Sequence, residues 1–317
     1  MAKYITISTI GVKGITIHDN HIDPDVIVAQ SIRHLQHEIQ QVLPDRPDLI
    51  VLPEACDGPL GLSKEKLFTY YRVRGERILN EMRRIAKENN CYLAYPAIMA
   101  TPNGSWRNST HLINRSGEVI GTYTKNHPTI TEIEQGILCG TSAPLIQCDF
   151  GTLACAICFD LNFDRLRLHY RTLHPDLILF SSMFHGGLLQ KMWAYTCRAY
   201  FIGAVAYGGP SAILSPQGEI IATSTNYYNF ATARINLDYA LVHLDYNRNR
   251  LSKMKSKYGP KVKVYDPGQL GSVLITSETT EFSIKEIVAE FELELLDDYL
   301  QRALAEQQRH PLGSSDS

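Results

Sequence analysis

The sequence predicts an α/β fold in which two packed β-sheets carry helices on their outer faces. Apolar runs of β-forming residues alternate with amphipathic helical stretches along most of the chain. Some neighbouring runs are joined by tight turns as hairpins, while others are separated by helices long enough to act as crossovers. Hairpins and crossovers in one chain fit two packed sheets better than a single all-parallel sheet. The chain has 317 residues, 44% of them hydrophobic and 20% charged. It can therefore bury a sizeable core, as one large α/β domain or as two.

KYITISTI reads as the first strand. Asp23 then caps a helix with Pro24 at its first position, and Val26, Ile27, Ile32, Leu35 and Ile39 keep a helical period to about Val42. DLIVLP is a short buried strand. Lys64 to Glu88 reads as one long charged amphipathic helix, and CYLAYPAIM as the strand after it. STHLIN and EVIGTYTK flank RSGE, where Gly117 supplies a positive φ, so they form a hairpin. Residues 128–140 lack a clear period and read as a loop or short helix. LIQCDF and TLACAIC form a second hairpin around Gly151. Helix 163–173, strand DLILFSS, helix 187–199 and the runs FIGAVAY, SAILS and IIATS follow, and ALVHLDY ends the sheet-forming part. This delimits a domain over 1–246. In the extension over 247–317 the sequence predicts a short exposed basic helix, an extended arm KVKVYDPGQLG, one long helix from Phe282 to Gln308, and a disordered PLGSSDS tail.

A formal net charge of −2 excludes a nucleic-acid partner, which requires a basic stripe. No apolar run approaches the length of a membrane span, and the first residues have no basic n-region or cleavage site. Several of the seven cysteines, Cys91 and Cys155 among them, lie inside apolar runs where a reduced thiol is the usual state. A reducing, cytoplasmic location is expected.

Three strand-like runs end in residues able to do chemistry. DLIVLPE ends in Glu54, VIGTYTK in Lys125, and LACAICFD reaches Cys158 just before a helix. A strand-to-helix turn exposes one side chain to a pocket and aims backbone N–H groups at whatever it attacks. Singly, Glu54 and Lys125 read as ordinary solvated charges. Together, a carboxylate, an ammonium and a thiol at three strand ends make a base, a stabilising cation and a nucleophile. Cys155 and Cys158 also form C-x-x-C, a spacing used for zinc or redox chemistry. Zinc would require a second such pair, and strand residues three apart point to opposite faces.

LPE at 52–54, YTKNH at 123–127 and ICFD at 157–160 resemble the three signature blocks of the nitrilase superfamily, the carbon–nitrogen hydrolases. The pattern continues in DLILFSS, Trp193, Arg198–Ala199 and SAILSPQGEII, so the resemblance covers roughly residues 3–245. It implies an αββα sandwich, a Glu–Lys–Cys triad, no metal or organic cofactor, a small amide as substrate, and a homodimer or larger even-numbered assembly that uses the C-terminal tail. Carried over residue by residue, it makes Glu54 the general base, Lys125 the cation and Cys158 the nucleophile. A second glutamate between Lys and Cys is assigned to Glu134, with Glu132 its close competitor. Phe159 would lend its backbone N–H to the oxyanion, and His185 and Asp160 complete the expected substrate contacts. Thr124 stands where the family often has Arg, and Phe163–Asp164–Arg165 replaces the usual aromatic-Pro-Glu; neither change touches the triad. C-x-D followed by Asn162 and an aromatic residue resembles the amidase branch, with an N-carbamoyl amide hydrolase as the nearest rival. A non-catalytic binding member of the fold is the alternative from another class.

Overall fold

The computed structural model describes residues 1–19, 21–207 and 209–310; the tail expected over 311–317 lies outside them. Contacts divide the chain into two compact units, one spanning Ile5–Ile235 and the other joining Met1–Tyr4 to the residues from Asn236 onward.

Along the first unit run β1 (Tyr4–Ile10), α1 (Pro24–Gln40), β2 (Leu49–Val51), α2 (Lys64–Arg74), α3 (Arg77–Glu88), β3 (Tyr92–Ala100), β4 (Trp106–Ile113), β5 (Val119–Thr124) and α4 (Ile130–Glu134). Then come β6 (Ile146–Cys148), β7 (Gly151–Ile157), a 3₁₀ turn over Cys158–Asn162, α5 (Asp164–Leu173), β8 (Leu177–Ser182), α6 (Leu188–Cys197), β9 (Tyr200–Val205), β10 (Ala212–Leu214), β11 (Ile220–Thr223) and β12 (Phe230–Asn236). The strands form two six-stranded sheets, ordered β12-β1-β2-β3-β4-β5 and β11-β10-β9-β8-β7-β6. Each follows one logic. Crossover helices link parallel neighbours (β1-β2-β3 and β7-β8-β9), and antiparallel connections add β4 and β5 to the first sheet and β6, β10 and β11 to the second. From much later in the chain, β12 joins the first sheet beside β1. The sheets face each other, since Thr9 Oγ1 donates to the Gly203 carbonyl at 2.9 Å and Ser181 Oγ to that of Leu52 at 2.8 Å. The buried stripe Ile27, Val28, Leu35 and Ile39 sets α1 against the first sheet, and Trp193, Ala194 and Cys197 set α6 against the second. The layers are therefore α, β, β, α, as the resemblance implies.

Where the charged period predicts one helix over 64–88, the chain forms two. Gly75, at φ +48, ends α2 in a conformation that L-residues rarely adopt, and its N–H closes the helix onto the Tyr71 carbonyl. The break brings Arg74 inside, 1% exposed, against Asp57 at 2.7 Å. Tyr95 Oη also donates to Asp57.

The second unit holds β13 (Tyr239–His243), α7 (Arg248–Tyr258), β14 (Val262–Tyr265), β15 (Ser272–Ser277), α8 (Ile284–Glu290) and α9 (Leu296–Arg309). β13 pairs with β15, and β15 with β14, both antiparallel. ALVHLDY therefore closes this small sheet, and the change of unit falls at Asn236 rather than at 246. The arm expected over KVKVYDPGQLG is instead β14 and the turn into β15. The single helix expected over 282–308 is interrupted between α8 and α9, where Glu292 takes φ +49 and Leu293 turns inward. Burial of Leu293 and Ile287 with Val242, Met254 and Ile275 explains the interruption, because no straight helix could bring both faces to that core.

Replacing Arg74 by Ala leaves Asp57 buried without a counter-charge. The expected loss is about 3–5 kcal/mol of unfolding free energy, measured by denaturant titration. A loss below about 1 kcal/mol would refute the structural weight assigned to this pair.

Candidate active site

Glu54 follows β2 and is held by a loop that the buried pair anchors from behind. Ala55 takes φ +52, Gly58 N–H closes back on the Ala55 carbonyl at 2.9 Å, and Tyr70 Oη donates to the Asp57 carbonyl at 2.8 Å. Lys125 follows β5, and its backbone N–H continues the ladder to the Asn108 carbonyl on β4 at 2.9 Å. That register sets Asn108 beside Lys125. Cys158 sits at the C-terminal end of β7 with φ +47, a costly conformation for a residue with a Cβ.

These ends converge. Lys125, 1% exposed, donates from Nζ to Glu54 Oε1 at 2.7 Å and to Glu132 Oε2 at 2.8 Å. Asn108 Nδ2 bridges the same two carboxylates, at 2.8 Å to Glu54 and 3.0 Å to Glu132. Burial works against the Lys125 charge, yet Glu54 and Glu132 outweigh it and raise its pKa. Burial pushes the Glu132 carboxyl up, but Lys125, the Thr129 N–H and Asn108 prevail and bring it below the usual range. The Cys158 thiol is pushed up to about 11, first by burial and then by the Glu54 charge, against Lys125 and a Ser182 hydrogen bond. The thiol and Glu54 line the same cavity. At neutral pH the thiol is therefore protonated, with a proton acceptor beside it in that cavity.

The second glutamate beside the lysine is Glu132, not Glu134. Thr129 and Glu132 form a capping box at the start of α4, which turns the Glu132 carboxylate inward. Glu134 lies two residues on, about 200° further round the helix, and is exposed. Phe159 follows the cysteine at the start of the 3₁₀ turn, where the first backbone donors have no partner inside the helix. Asp160 does not face the cavity. Fully buried, it accepts from Tyr123 Oη at 2.7 Å, from His127 N–H at 2.8 Å and Nδ1 at 2.9 Å, and from Ile157 N–H at 3.0 Å. It thereby ties the cysteine turn to the strand end that carries Lys125. His185 is also not a cavity residue. Ser182 bonds to both the N–H and the carbonyl of Phe184, and this turn presents Met183 and Phe184 to the cavity instead. Cys155 is 1% exposed in β7, with its thiol pushed up to about 12 by burial, away from the cavity that Cys158 lines. Asn108 and Ser182 escape a reading based on charged strand ends. The signal for Asn108 is a polar residue inside an apolar strand, opposite the lysine in the hairpin.

The cavity over Cys158 has about 290 Å³. Glu54, Lys125 and Glu132 line it together with apolar side chains, Leu60, Leu67, Ile98 and Ile137 among them, and with the uncharged polar groups of Tyr71, Gln135 and Tyr207. A larger groove of about 950 Å³ lies over His127, Arg165 and His169 and includes none of the Glu–Lys–Cys set.

Residues 28–240 match the model of the carbon–nitrogen hydrolase family, two thirds of the chain, so the chain belongs to that family. Deaminated glutathione amidase of Homo sapiens is 24% identical over 222 residues, spanning 60% of this chain and 67% of its own length. Omega-amidase NIT2 of Xenopus tropicalis is 24% identical over 218 residues, 60% of this chain and 77% of its own. The solved structure of the C. elegans NitFhit protein superposes with a TM-score of 0.65 at 15% identity, covering 92% of this chain and 98% of that one. The fold is that of an αββα sandwich, and the protein is an amidase-type hydrolase. No described helix is long and apolar enough to cross a membrane.

The raised thiol pKa carries a prediction with a definite sign. Below about 11 the Cys158 thiolate fraction should rise tenfold per pH unit, and alkylation, followed on the Cys158 peptide by mass spectrometry, should rise with it. Glu54→Gln removes a charge that raises this pKa, so the alkylation profile should move to lower pH while turnover falls. An unmoved profile would show that Glu54 does not act on the thiol.

Proposed function

We propose that this protein hydrolyses the C–N bond of a small amide through a thioester on Cys158. The observation that carries the proposal is that a protonated, half-buried thiol shares one cavity with Glu54, the carboxylate that also binds Lys125. As sulfur attacks the amide carbon, Glu54 takes the thiol proton. The carbonyl oxygen becomes an oxyanion beside the Lys125 ammonium and the Phe159 N–H. Collapse breaks the C–N bond, Glu54 returns its proton to the leaving nitrogen, and ammonia or an amine departs. Water then attacks the thioester, giving a proton to Glu54 and freeing the thiol with the carboxylic acid. Glu132 and Asn108 take no proton in this scheme. They keep Lys125 charged and aimed. All six residues of this scheme lie in the Ile5–Ile235 unit, which we take as the catalytic one.

Cys158→Ala should lower turnover by about 10⁴-fold or more with the fold intact, since members of a concerted set fail together. Glu132→Gln should lower it at least about 100-fold, whereas Glu134→Gln and Cys155→Ala should keep most of it. Acyl-thioester trapping by mass spectrometry supplies the direct test. Substantial turnover by Cys158→Ala would overturn the nucleophile assignment.

The same reading includes a homodimer in a reducing, cytoplasmic setting. The cysteines Cys56, Cys91, Cys139, Cys148, Cys155, Cys158 and Cys197 are all free thiols. On α9, Leu300 and Leu304 stand one turn apart and are 43% and 56% exposed, an apolar strip that a second copy would cover. Sedimentation of the full chain should give a dimer, and Leu300→Lys with Leu304→Lys should weaken it. A monomeric full-length protein would rule the assembly out.

A further inference from the structure

Glu54, Lys125 and Glu132 are the charged side chains among those lining the cavity over Cys158, and Lys125 is already bonded to both glutamates. Lys125, the cation among them, is held by two carboxylates and cannot also pair with a charge at the far end of a substrate. The walls beyond the cysteine are mostly apolar, with Leu60, Leu67, Ile98, Ile137, Met183 and Phe184, and their polar atoms are the uncharged ones of Gln135, Thr129, Tyr71 and Tyr207. A carboxylate placed there would lose its water without gaining a counter-charge, and it would share the cavity with the two glutamates. An alkyl chain placed there loses unfavourable contact with water instead.

Resting on the amide-hydrolase reading, we infer that the substrate's acyl group is uncharged and apolar, and that Leu67, Ile98 and Ile137 determine this specificity. Size narrows it further. The cavity of about 290 Å³ is at the small end for ligand sites. At about 30 Å³ per water-sized group, it holds about ten non-hydrogen atoms, three of which are the amide's own. The acyl chain then extends to about six or seven carbons past the carbonyl. Tyr207 borders both this cavity and a neighbouring polar one, where Lys13 Nζ lies 4.6 Å from the centre of the Tyr207 ring. Lys13 is the described cation that a longer anionic substrate would use, and it provides the opposing outcome of the test.

The experiment measures kcat/KM of the full-length protein for straight-chain primary amides from propionamide to decanamide. Monoamides of dicarboxylic acids of matched length serve as the charged isosteres. The expected rise is about fourfold per methylene until the cavity is full, with a fall beyond it. Each carboxylate-bearing isostere should be at least about 100-fold poorer than its neutral partner. Leu67→Arg and, separately, Ile98→Arg should shift the ratio of charged to neutral substrate by at least about tenfold toward the charged one. The wild-type series stands alone if either variant fails to fold. A flat series overturns the inference. So does a preference for the carboxylate-bearing amides, and loss of that preference in Lys13→Met would transfer recognition to the neighbouring cavity. In both cases amide hydrolysis itself survives. Failure of every amide to release ammonia or to acylate Cys158 would instead refute the hydrolase reading, and the inference with it.

Discussion

Lys125 is a cation withdrawn almost completely from water, and the site depends on how that charge is kept. A buried ammonium is tolerable only with close, well-oriented counter-charges. Glu54 and Glu132 supply them, at 2.7 and 2.8 Å, and Asn108 bridges both carboxylates from the adjacent strand. The requirement explains several features that look unrelated along the chain. The capping box of α4 turns Glu132 inward, the β4-β5 register sets Asn108 beside the lysine, and the Asp57–Arg74 pair fixes the loop that carries Glu54. Each holds one wall of the same charge cluster.

The cysteine turn needs a different kind of support. Cys158 takes a left-handed backbone conformation, which costs of order 1–3 kcal/mol for a residue with a side chain. Hydrogen bonds around the turn offset that cost. Asp160 gathers donors from Tyr123, His127 and Ile157, Trp193 Nε1 donates to the Leu161 carbonyl at 2.9 Å, and Tyr170 Oη to that of Cys155 at 2.7 Å. Tyr123 and His127 flank Lys125, so the carboxylate of Asp160 couples the cation's strand end in one sheet to the thiol's turn in the other. The residue that resembles a substrate contact in sequence is a structural tie.

The two sheets share the work. Glu54 and Lys125 come from the first, Cys158 and Ser182 from the second, and the site forms where the ends of parallel strands meet, a place where α/β folds commonly build one. Beyond the Glu54–Lys125–Glu132 cluster the cavity wall is mostly apolar, and Leu67 and Ile98, which lie in it, make none of the bonds that hold that cluster.

Strand ends carry chemistry in this fold, and apolar runs ending in Glu54, Lys125 and Cys158 were therefore legible from residue order alone, as were both hairpins and the crossover helices. Local pattern determines such features, because burial of one face imposes its period on the sequence. Four things depended on contacts between distant segments. Glu132 and Glu134 are near neighbours in sequence, and only the capping geometry of α4 selects one. Gly75 and Glu292 interrupt helices whose apolar period runs on, because Arg74 and Leu293 must reach partners the period does not reveal. β13 leaves the large sheets because β15, some thirty residues later in the chain, offers it a ladder. Asp160 and His185 lie outside the cavity and Asn108 at it, because a side chain's direction is set by the hydrogen bonds it finds after folding. The sequence by itself determined the family, the layered fold and the three strand ends, at Glu54, Lys125 and Cys158, that meet in one cavity. Only the tertiary structure decided their partners, since those partners are brought together by the packing of two sheets and not by proximity along the chain.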